Sequence, residues 1–293
     1  MLDFDPARTP VAPKAAATVV VFRQAERGIE LFCVERHARS GFLGGAIVFP
    51  GGKLDPADED LAWRRSTTEL GERALAFGPD ADTARGLAVA ALRELLEEAA
   101  ILPVDGDGLD GRQALELRDE LARRQHDPQT GASAFRHLIE ERRLRPDLRR
   151  LEALWRWITP TAESRRYDTC FYVLPLPAGQ SGLHDRRETT SSFWATPLEL
   201  LSRWERNEIF LAPPTVRTIE IFAGALSIEQ VLGVTRAQSL TPICPVFVLD
   251  CERPVLALPG DPLYPEKHAV PSDPEAPTRF EFRGTRLVGR RAP

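Results

Sequence analysis

The sequence predicts an α/β protein in which helices pack on a mixed β-sheet. Apolar runs at 16–22, 29–36 and 167–174 are typical of buried strands. The turn around Gly28 should join the first two runs as an antiparallel hairpin. The clearest helical periodicity lies at 83–100. Hairpins combined with longer connections indicate antiparallel and parallel strand neighbours, and therefore a sandwich of helices and a mixed sheet.

Two helical insertions are expected to interrupt this core. The first, at about 56–85, carries a short helical pattern at 67–77. The second, at about 103–150, is dense in Arg, Glu and Leu and has helical patterns at 111–125 and 132–143. Charge of this density is typical of solvent-exposed helix faces, which we favour over a partner-binding arm.

The remainder of the chain completes the sheet and adds a tail. Later patterns predict strands at 151–158, 167–174 and 191–195 and helices at 197–207, 214–223 and 227–232. From about 240 onward, short strand patterns alternate with proline-rich loops. Because the chain has no low-complexity linker and no internal repeat, we expect a single domain over 14–293 with a short-stranded C-terminal extension.

Composition limits the classes of function. The chain has 293 residues, of which 43% are hydrophobic and 28% charged, as in ordinary globular proteins. A net charge of −5 argues against nucleic-acid binding, because such surfaces carry a basic excess. The four cysteines and five histidines show no zinc-site spacing. Without a membrane-length apolar run or a signal-peptide pattern, we expect a cytoplasmic protein that does not associate with membranes.

Three carboxylates fall on one side of the helix predicted at 83–100. Glu94, Glu97 and Glu98 stand at i, i+3 and i+4. The opposite side carries an apolar stripe of Leu92, Leu95, Leu96 and Ala99. Like charges at this spacing cost a helix roughly 0.2–0.5 kcal/mol per pair, which a cation would relieve. Oxygen ligands suit Mg²⁺, although on the helix alone a solvated acidic face is the more common explanation.

A glycine segment precedes this helix in the sequence. The apolar run 46–48 leads into Phe49-Pro50-Gly51-Gly52, which predicts a strand that ends in a tight turn. Glycines at such a turn let the backbone approach a ligand closely, although an ordinary turn has the same pattern.

Together the two segments resemble the box of the Nudix hydrolases: Gly, five residues, Glu, seven residues, Arg-Glu, aliphatic, any residue, Glu-Glu, any residue, Gly, aliphatic. Five residues after Gly52, Asp58 replaces the glutamate, and Arg93 follows after 34 residues, 27 more than the usual seven. Ala100 replaces the final glycine. Only a positive φ at that position would strain an alanine.

The long interruption is typical of one branch of this superfamily, the peroxisomal-type coenzyme A diphosphatases. Segments similar to that branch lie at 36–52, 54–58, 157–160, 165–171, 193–197, 211–214 and 258–264. The coenzyme A signature of related Nudix enzymes is matched at its first arginine by Arg36 and at its glycine by Gly45. It is not matched at Gly41, where it has a second arginine, or at His37.

The resemblance implies an α/β/α sandwich with a mixed sheet and an active site that depends on Mg²⁺ or Mn²⁺. Glu97 and Glu98 are then the first candidates for metal ligands, with Glu94 as a further ligand or as the general base. A backbone carbonyl at Gly51 completes the expected ligands. Arg93 is expected to orient Glu94, so that Glu94, Arg93 and Glu97 are the catalytic candidates.

Further candidates lie outside the carboxylate helix. Nudix enzymes often take a base or an additional ligand from a separate loop, for which Glu163 and Glu188 are second-rank candidates. The expected substrate-binding residues are Arg36, Arg39, Gly52, Lys53 and Arg166. The arginines among them suit phosphate oxygens, which a guanidinium binds bidentately.

The leading functional hypothesis is hydrolysis of the diphosphate linkage in coenzyme A or acyl-coenzyme A, giving 3′,5′-ADP and (acyl-)4′-phosphopantetheine. One alternative keeps this chemistry but takes ADP-ribose, NAD(H) or dinucleoside polyphosphates as substrates. Another is a catalytically silent Nudix protein that binds a nucleotide and regulates a different process. The expected partner is a small molecule, and a homodimer is possible.

Overall fold

The computed structural model describes residues 4–5, 7–38, 43–185, 189–249, 253–265, 276–283 and 286–292. Its main sheet has seven strands: β1 (Lys14–Ala25), β2 (Gly28–Arg36), β3 (Ile47–Val48), β4 (Gly51–Lys53), β5 (Glu152–Ile158), β6 (Tyr167–Pro175) and β7 (Thr189–Ala195). The strand order is β3-β2-β1-β6-β5, with β4 paired to β1 and β7 paired to β2. Strands β1 and β6 run parallel and the other neighbours antiparallel, so the sheet is mixed, as predicted.

The helices are α1 (Trp63–Ser66), α2 (Ala81–Ala99), α3 (Gly111–Arg124), α4 (Ala134–Glu141), α5 (Pro197–Glu205), α6 (Pro213–Phe222) and α7 (Ile228–Ala237). Helices α2 to α7 lie where the sequence predicts them. The first insertion differs from the prediction: within the predicted pattern at 67–77 only the 3-10 helix Glu72–Phe77 forms, and α1 lies before that pattern, at Trp63–Ser66. Thr67 is the reason: it adopts an extended backbone, and its hydroxyl donates to the Trp63 carbonyl and so closes α1.

Helices cover both faces of the sheet because the side chains of the central strand alternate. In β1, Val19 and Val21 belong to one hydrophobic cluster, which includes α2 and the helices of the two insertions. Val20 and Phe22 belong to a second cluster with α5, α6 and α7. This is the expected α/β/α sandwich. Within the described ranges, no helix combines the length and apolarity that crossing a membrane requires.

The C-terminal extension forms a second, antiparallel sheet of four strands. These are β8 (Val246–Val248), β9 (Val255–Ala257), β10 (Arg279–Arg283) and β11 (Arg286–Arg290), in the order β11-β10-β9-β8. Leu256 and Phe280 lie in the same hydrophobic cluster as Trp157 of β5. Near the start of the chain, Phe4 stacks on Phe247 with ring centroids 4.9 Å apart. The extension therefore packs against one face of the main sheet.

Helix α2 begins and ends at well-defined residues. The Asp80 side chain caps its first turn by accepting hydrogen bonds from the backbone N–H groups of Asp82 and Thr83. Its C-cap, Ala100, has φ 51° and ψ 44°, and its N–H donates to the Leu96 carbonyl. The position at which the Nudix box has glycine is thus left-handed, and in this chain an alanine adopts that conformation.

Ala100→Gly is expected to raise the free energy of unfolding by about 0.5 kcal/mol. Relief of the left-handed alanine, about 1–2 kcal/mol, exceeds the loss of one buried methyl group, about 0.8 kcal/mol. The matched control is Ala99→Gly inside α2, which should lower the free energy of unfolding by about 1–2 kcal/mol through propensity and lost burial. Urea unfolding measures both changes, and equal destabilisation by the two variants would contradict a strained Ala100.

Candidate active site

A cavity of about 470 Å³ lies where the glycine segment meets α2. Its polar lining includes Arg36, Lys53, Asp55, Arg93, Glu94, Glu97, Gln125 and Glu163. Its apolar lining includes Phe4, Val48, Phe49, Trp157, Phe171, Pro213, Pro245 and Leu256. The cavity is thus bounded by both sheets as well as by α2.

The glycine segment is a short strand, whereas the sequence suggests a turn. Gly51 and Gly52 lie in β4, which pairs antiparallel with β1 in the register Ala17↔Gly52 and Thr18↔Gly51. A Cβ atom on Gly51 would lie 2.3 Å from the Ala17 carbonyl oxygen. Glycine is therefore required at Gly51 by close packing against β1.

The same two glycines contact two of the three carboxylates of α2. A Cβ atom on Gly52 would lie 2.2 Å from Oε1 of Glu94, so the missing side chain makes room for this carboxylate. The Gly51 N–H donates a 3.0 Å hydrogen bond to Oε2 of Glu98, which is 4% exposed. The structure thus places Gly51 beside Glu98 and Gly52 beside Glu94.

Arg93 joins the carboxylates of the site into one network. Its guanidinium is buried and donates bidentately to Asp58, with both N···O distances 2.9 Å. It also donates to Oε1 of Glu94 at 3.0 Å and to Oε1 of Glu97 at 3.2 Å. A fifth bond, 2.9 Å long, reaches the Lys53 carbonyl. Arg93 thus contacts Glu94, as expected of an orienting residue.

The charge state of this network follows from its contacts. Burial by itself would lower the pKa of Arg93, but the hydrogen bond to Asp58 and the charges of Glu94, Asp58 and Glu97 raise the pKa above its usual value. Burial raises the pKa of Glu97. The charge and hydrogen bond of Arg93 and the hydrogen bond of Gln125 lower this pKa but do not cancel the effect of burial. Arg93 is therefore a permanent cation among the carboxylates.

Sequence reasoning did not nominate Asp58 or Gln125 as site residues. Asp58 is 2% exposed. It stands where the Nudix box has its first glutamate, and that position was the available signal that Asp58 belongs to the site. The shorter carboxylate still reaches Arg93. Gln125 follows α3, and its amide donates to Oε1 of Glu97 at 2.8 Å. Only the structure could reveal that contact, because an exposed glutamine in an insertion has no distinguishing pattern.

The remaining candidates are placed differently. Arg36, Lys53 and Glu163 line the cavity, and Glu163 is 2% exposed in the loop between β5 and β6. Arg166 does not line it; its guanidinium donates to the carbonyls of Thr159 and Val11 at 2.9 and 2.7 Å. Arg39 and Glu188 lie outside the described residues.

The carboxylates fit a divalent cation in their chemistry. Glu94 and Glu97 present oxygen ligands to the cavity, and oxygen ligands suit Mg²⁺ and Mn²⁺. Within the described ranges, no three His, Cys, Asp or Glu side chains are already arranged as a ligand set. The carboxylates are instead compensated by Arg93, so a cation would join a site whose negative charge is partly balanced.

Known proteins resemble the chain in sequence and in fold. A family model described as the NUDT19 Nudix domain matches residues 79–221. The acyl-coenzyme A diphosphatase NUDT19 of Gallus gallus is 30% identical over 282 residues, covering 81% of this chain and 73% of the relative. The chain belongs to the NUDT19 family of Nudix hydrolases. The NUDT19 protein of Xenopus laevis is 28% identical over 280 residues, covering 81% of this chain and 72% of that relative.

The Nudix fold is also found in a solved structure. A Nudix hydrolase from Alicyclobacillus acidocaldarius superposes with a TM-score of 0.66 at 26% identity, covering 79% of this chain and 98% of that one. The predicted family and fold class are confirmed. In the present chain, the residues that interrupt the box fold into α1 and short 3-10 helices beside α2. Arg93 nevertheless donates a hydrogen bond to Asp58.

The buried pair of Asp58 and Arg93 should contribute more to stability than an exposed pair of the same chemistry. Asp58→Ala is expected to lower the free energy of unfolding by about 3 kcal/mol, because it leaves a buried guanidinium short of its main partner. The control is Asp82→Ala, which removes the partner of Arg64 in a more exposed ion pair and should lower the free energy of unfolding far less. Denaturant titration compares them; similar small losses in both variants would contradict the central role of Asp58.

Proposed function

We propose that this Nudix hydrolase cleaves the diphosphate linkage of coenzyme A and acyl-coenzyme A, releasing 3′,5′-ADP and (acyl-)4′-phosphopantetheine. The observation that carries the proposal is a single cavity lined both by Glu94 and Glu97 of α2 and by a broad apolar surface. The relatives in Gallus gallus and Xenopus laevis, which are named acyl-coenzyme A diphosphatases, support the same substrate class.

The cationic side chains on the cavity lining suit binding of a diphosphate. Among the described lining residues, Arg36, Lys53 and Arg93 are the cationic side chains. Arg93 is occupied by Asp58, Glu94 and Glu97, which leaves Arg36 and Lys53 to face substrate phosphates. Two cations suit a diphosphate, and the apolar lining suits an uncharged pantetheine or acyl arm better than a second nucleotide.

We propose Mg²⁺ or Mn²⁺ as the cofactor, held by Glu97 and Glu98 with the Gly51 carbonyl, while Glu94 is either a further ligand or the general base. When bound, such a cation would neutralise the diphosphate oxygens and lower the pKa of a water molecule. Arg93 then keeps the carboxylates of Glu94 and Glu97 oriented by its hydrogen bonds.

Proton transfer is assigned to carboxylates on the cavity lining. Glu94 is the first candidate for the general base, and Glu163, from the opposite loop, is the second. The close approach of Gly52 fixes where the Glu94 carboxylate can lie. The apolar lining, including Phe49 and Trp157, limits the water around the reacting phosphate.

Retention of the Arg93, Glu94 and Glu97 contacts favours catalysis over a silent, nucleotide-binding role. Cytoplasmic location, the possible homodimer and the single-domain organisation over 14–293 remain predictions.

Substrate preference tests the proposal directly. The full chain is incubated with coenzyme A, an acyl-coenzyme A, ADP-ribose, NADH and diadenosine polyphosphates, first with Mg²⁺ and then with Mn²⁺, and the products are separated by chromatography. We expect the highest kcat/KM for coenzyme A or its acyl derivative, with 3′,5′-ADP as a product. A tenfold or greater preference for ADP-ribose would refute the substrate assignment.

Glu97→Gln and Glu98→Gln are expected to lower metal-dependent hydrolysis by about 100-fold or more, since a ligand carboxylate supports a cation that contributes several kcal/mol to transition-state stabilisation. Both variants keep the side-chain shape, so circular dichroism should show a retained fold. Glu116→Gln, on the exposed face of α3, is the control and should keep wild-type activity. Unchanged activity in both site variants would refute the metal assignment.

A further inference from the structure

The second insertion reaches the active site through one side chain. Helix α3 buries Leu117 and Leu121 in the hydrophobic cluster that contains α2. Ala114, on the same helix, is also buried. The backbone N–H of Gln125 donates to the Leu121 carbonyl at 3.0 Å, so Gln125 is held at the C-terminal end of this docked helix. The apolar side of α3 thereby places Gln125 on the lining of the cavity.

Gln125 and Arg93 hold the same oxygen of Glu97. The Gln125 amide donates to Oε1 at 2.8 Å, and Nη1 of Arg93 donates to Oε1 at 3.2 Å. Among the described residues, no side chain donates a hydrogen bond to the other oxygen of Glu97, Oε2. Two donors on one oxygen fix the rotation of the carboxylate and leave its other oxygen for a ligand.

The chemistry of the amide suits this task. Arg93 already supplies one positive charge to Glu97. A second arginine or a lysine at the place of Gln125 would add another charge and repel a divalent cation. A carboxylate there would repel Glu97. A neutral amide donor orients the carboxylate without changing the charge of the site.

We propose that Gln125 is a positioning residue for the cation-binding carboxylate of Glu97, and that the second insertion thereby contributes to metal affinity. The inference rests on the proposed function, in which Glu97 is a metal ligand. Partners that hydrogen-bond to a metal ligand from outside the coordination sphere typically affect metal affinity or activity by 10–100-fold, about the size of effect we expect. A merely structural surface contact would leave metal binding unchanged.

The test is metal binding by the full chain without substrate. Gln125→Leu removes the donor while keeping a similar side-chain volume, and Mn²⁺ binding is followed by electron paramagnetic resonance of unbound Mn²⁺. We expect the Kd for Mn²⁺ to rise about tenfold. The control is Gln129→Leu, which alters an exposed glutamine in the same connection and should leave the Kd unchanged.

Hydrolysis supplies an independent measurement. In Gln125→Leu, the Mn²⁺ concentration for half-maximal turnover of coenzyme A should rise by the same factor, while the KM for coenzyme A at saturating Mn²⁺ should stay the same. If the wild type hydrolyses coenzyme A and Gln125→Leu binds Mn²⁺ as tightly as the wild type, the positioning role is refuted. If the wild type does not hydrolyse coenzyme A but Gln125→Leu still weakens Mn²⁺ binding, the substrate assignment is wrong and the positioning role stands.

Discussion

The active site depends on one buried cation, the guanidinium of Arg93. Three carboxylates, Asp58, Glu94 and Glu97, lie within hydrogen-bond distance of it. Without a positive charge between them, carboxylates so close together in a partly buried site would repel one another and shift towards their protonated forms. Arg93 balances part of their negative charge and fixes their directions before any ligand arrives.

This arrangement separates two tasks within a short stretch of helix. Asp58 is buried and receives bonds from Nε and Nη2, one arm of the Arg93 fork, so its contribution is to stability and orientation. Glu94 and Glu97 receive one bond each from the other arm and face the cavity. The guanidinium can serve both because its donors are rigidly spaced, which a lysine ammonium does not provide.

Local periodicity made much of the fold predictable from the sequence. The apolar stripe and the acidic side of α2 could be assigned because both depend only on the helical repeat, and Leu92 and Glu94 lie where that repeat puts them. The strand character of Gly51 could not be assigned, because it comes from pairing with β1, which lies far away in the sequence. Nor could the contact of Gln125 with Glu97, which joins the end of an insertion to α2.

The sequence also does not show which arginines face a ligand and which bind the protein's own backbone, because both kinds carry the same charge. Arg36 and Arg166 both lie in segments with family resemblance, yet Arg36 lines the cavity while Arg166 is bound to two backbone carbonyls. The difference arises from how the loop between β5 and β6 closes against the start of the chain. That closure is a property of the tertiary structure, and no residue pattern near Arg166 reports it.

The meeting of Asp58 and Arg93 across 34 intervening residues has a consequence for how such proteins diverge. Closing a loop of 34 residues instead of seven costs only about 1.4 kcal/mol more in chain entropy, since this cost grows with the logarithm of loop length. Removing one partner of a buried ion pair costs about 3–5 kcal/mol, which exceeds this difference in chain entropy. The connection can therefore lengthen, shorten or acquire new helices over evolutionary time, while the two residues at its ends keep the chemistry in place.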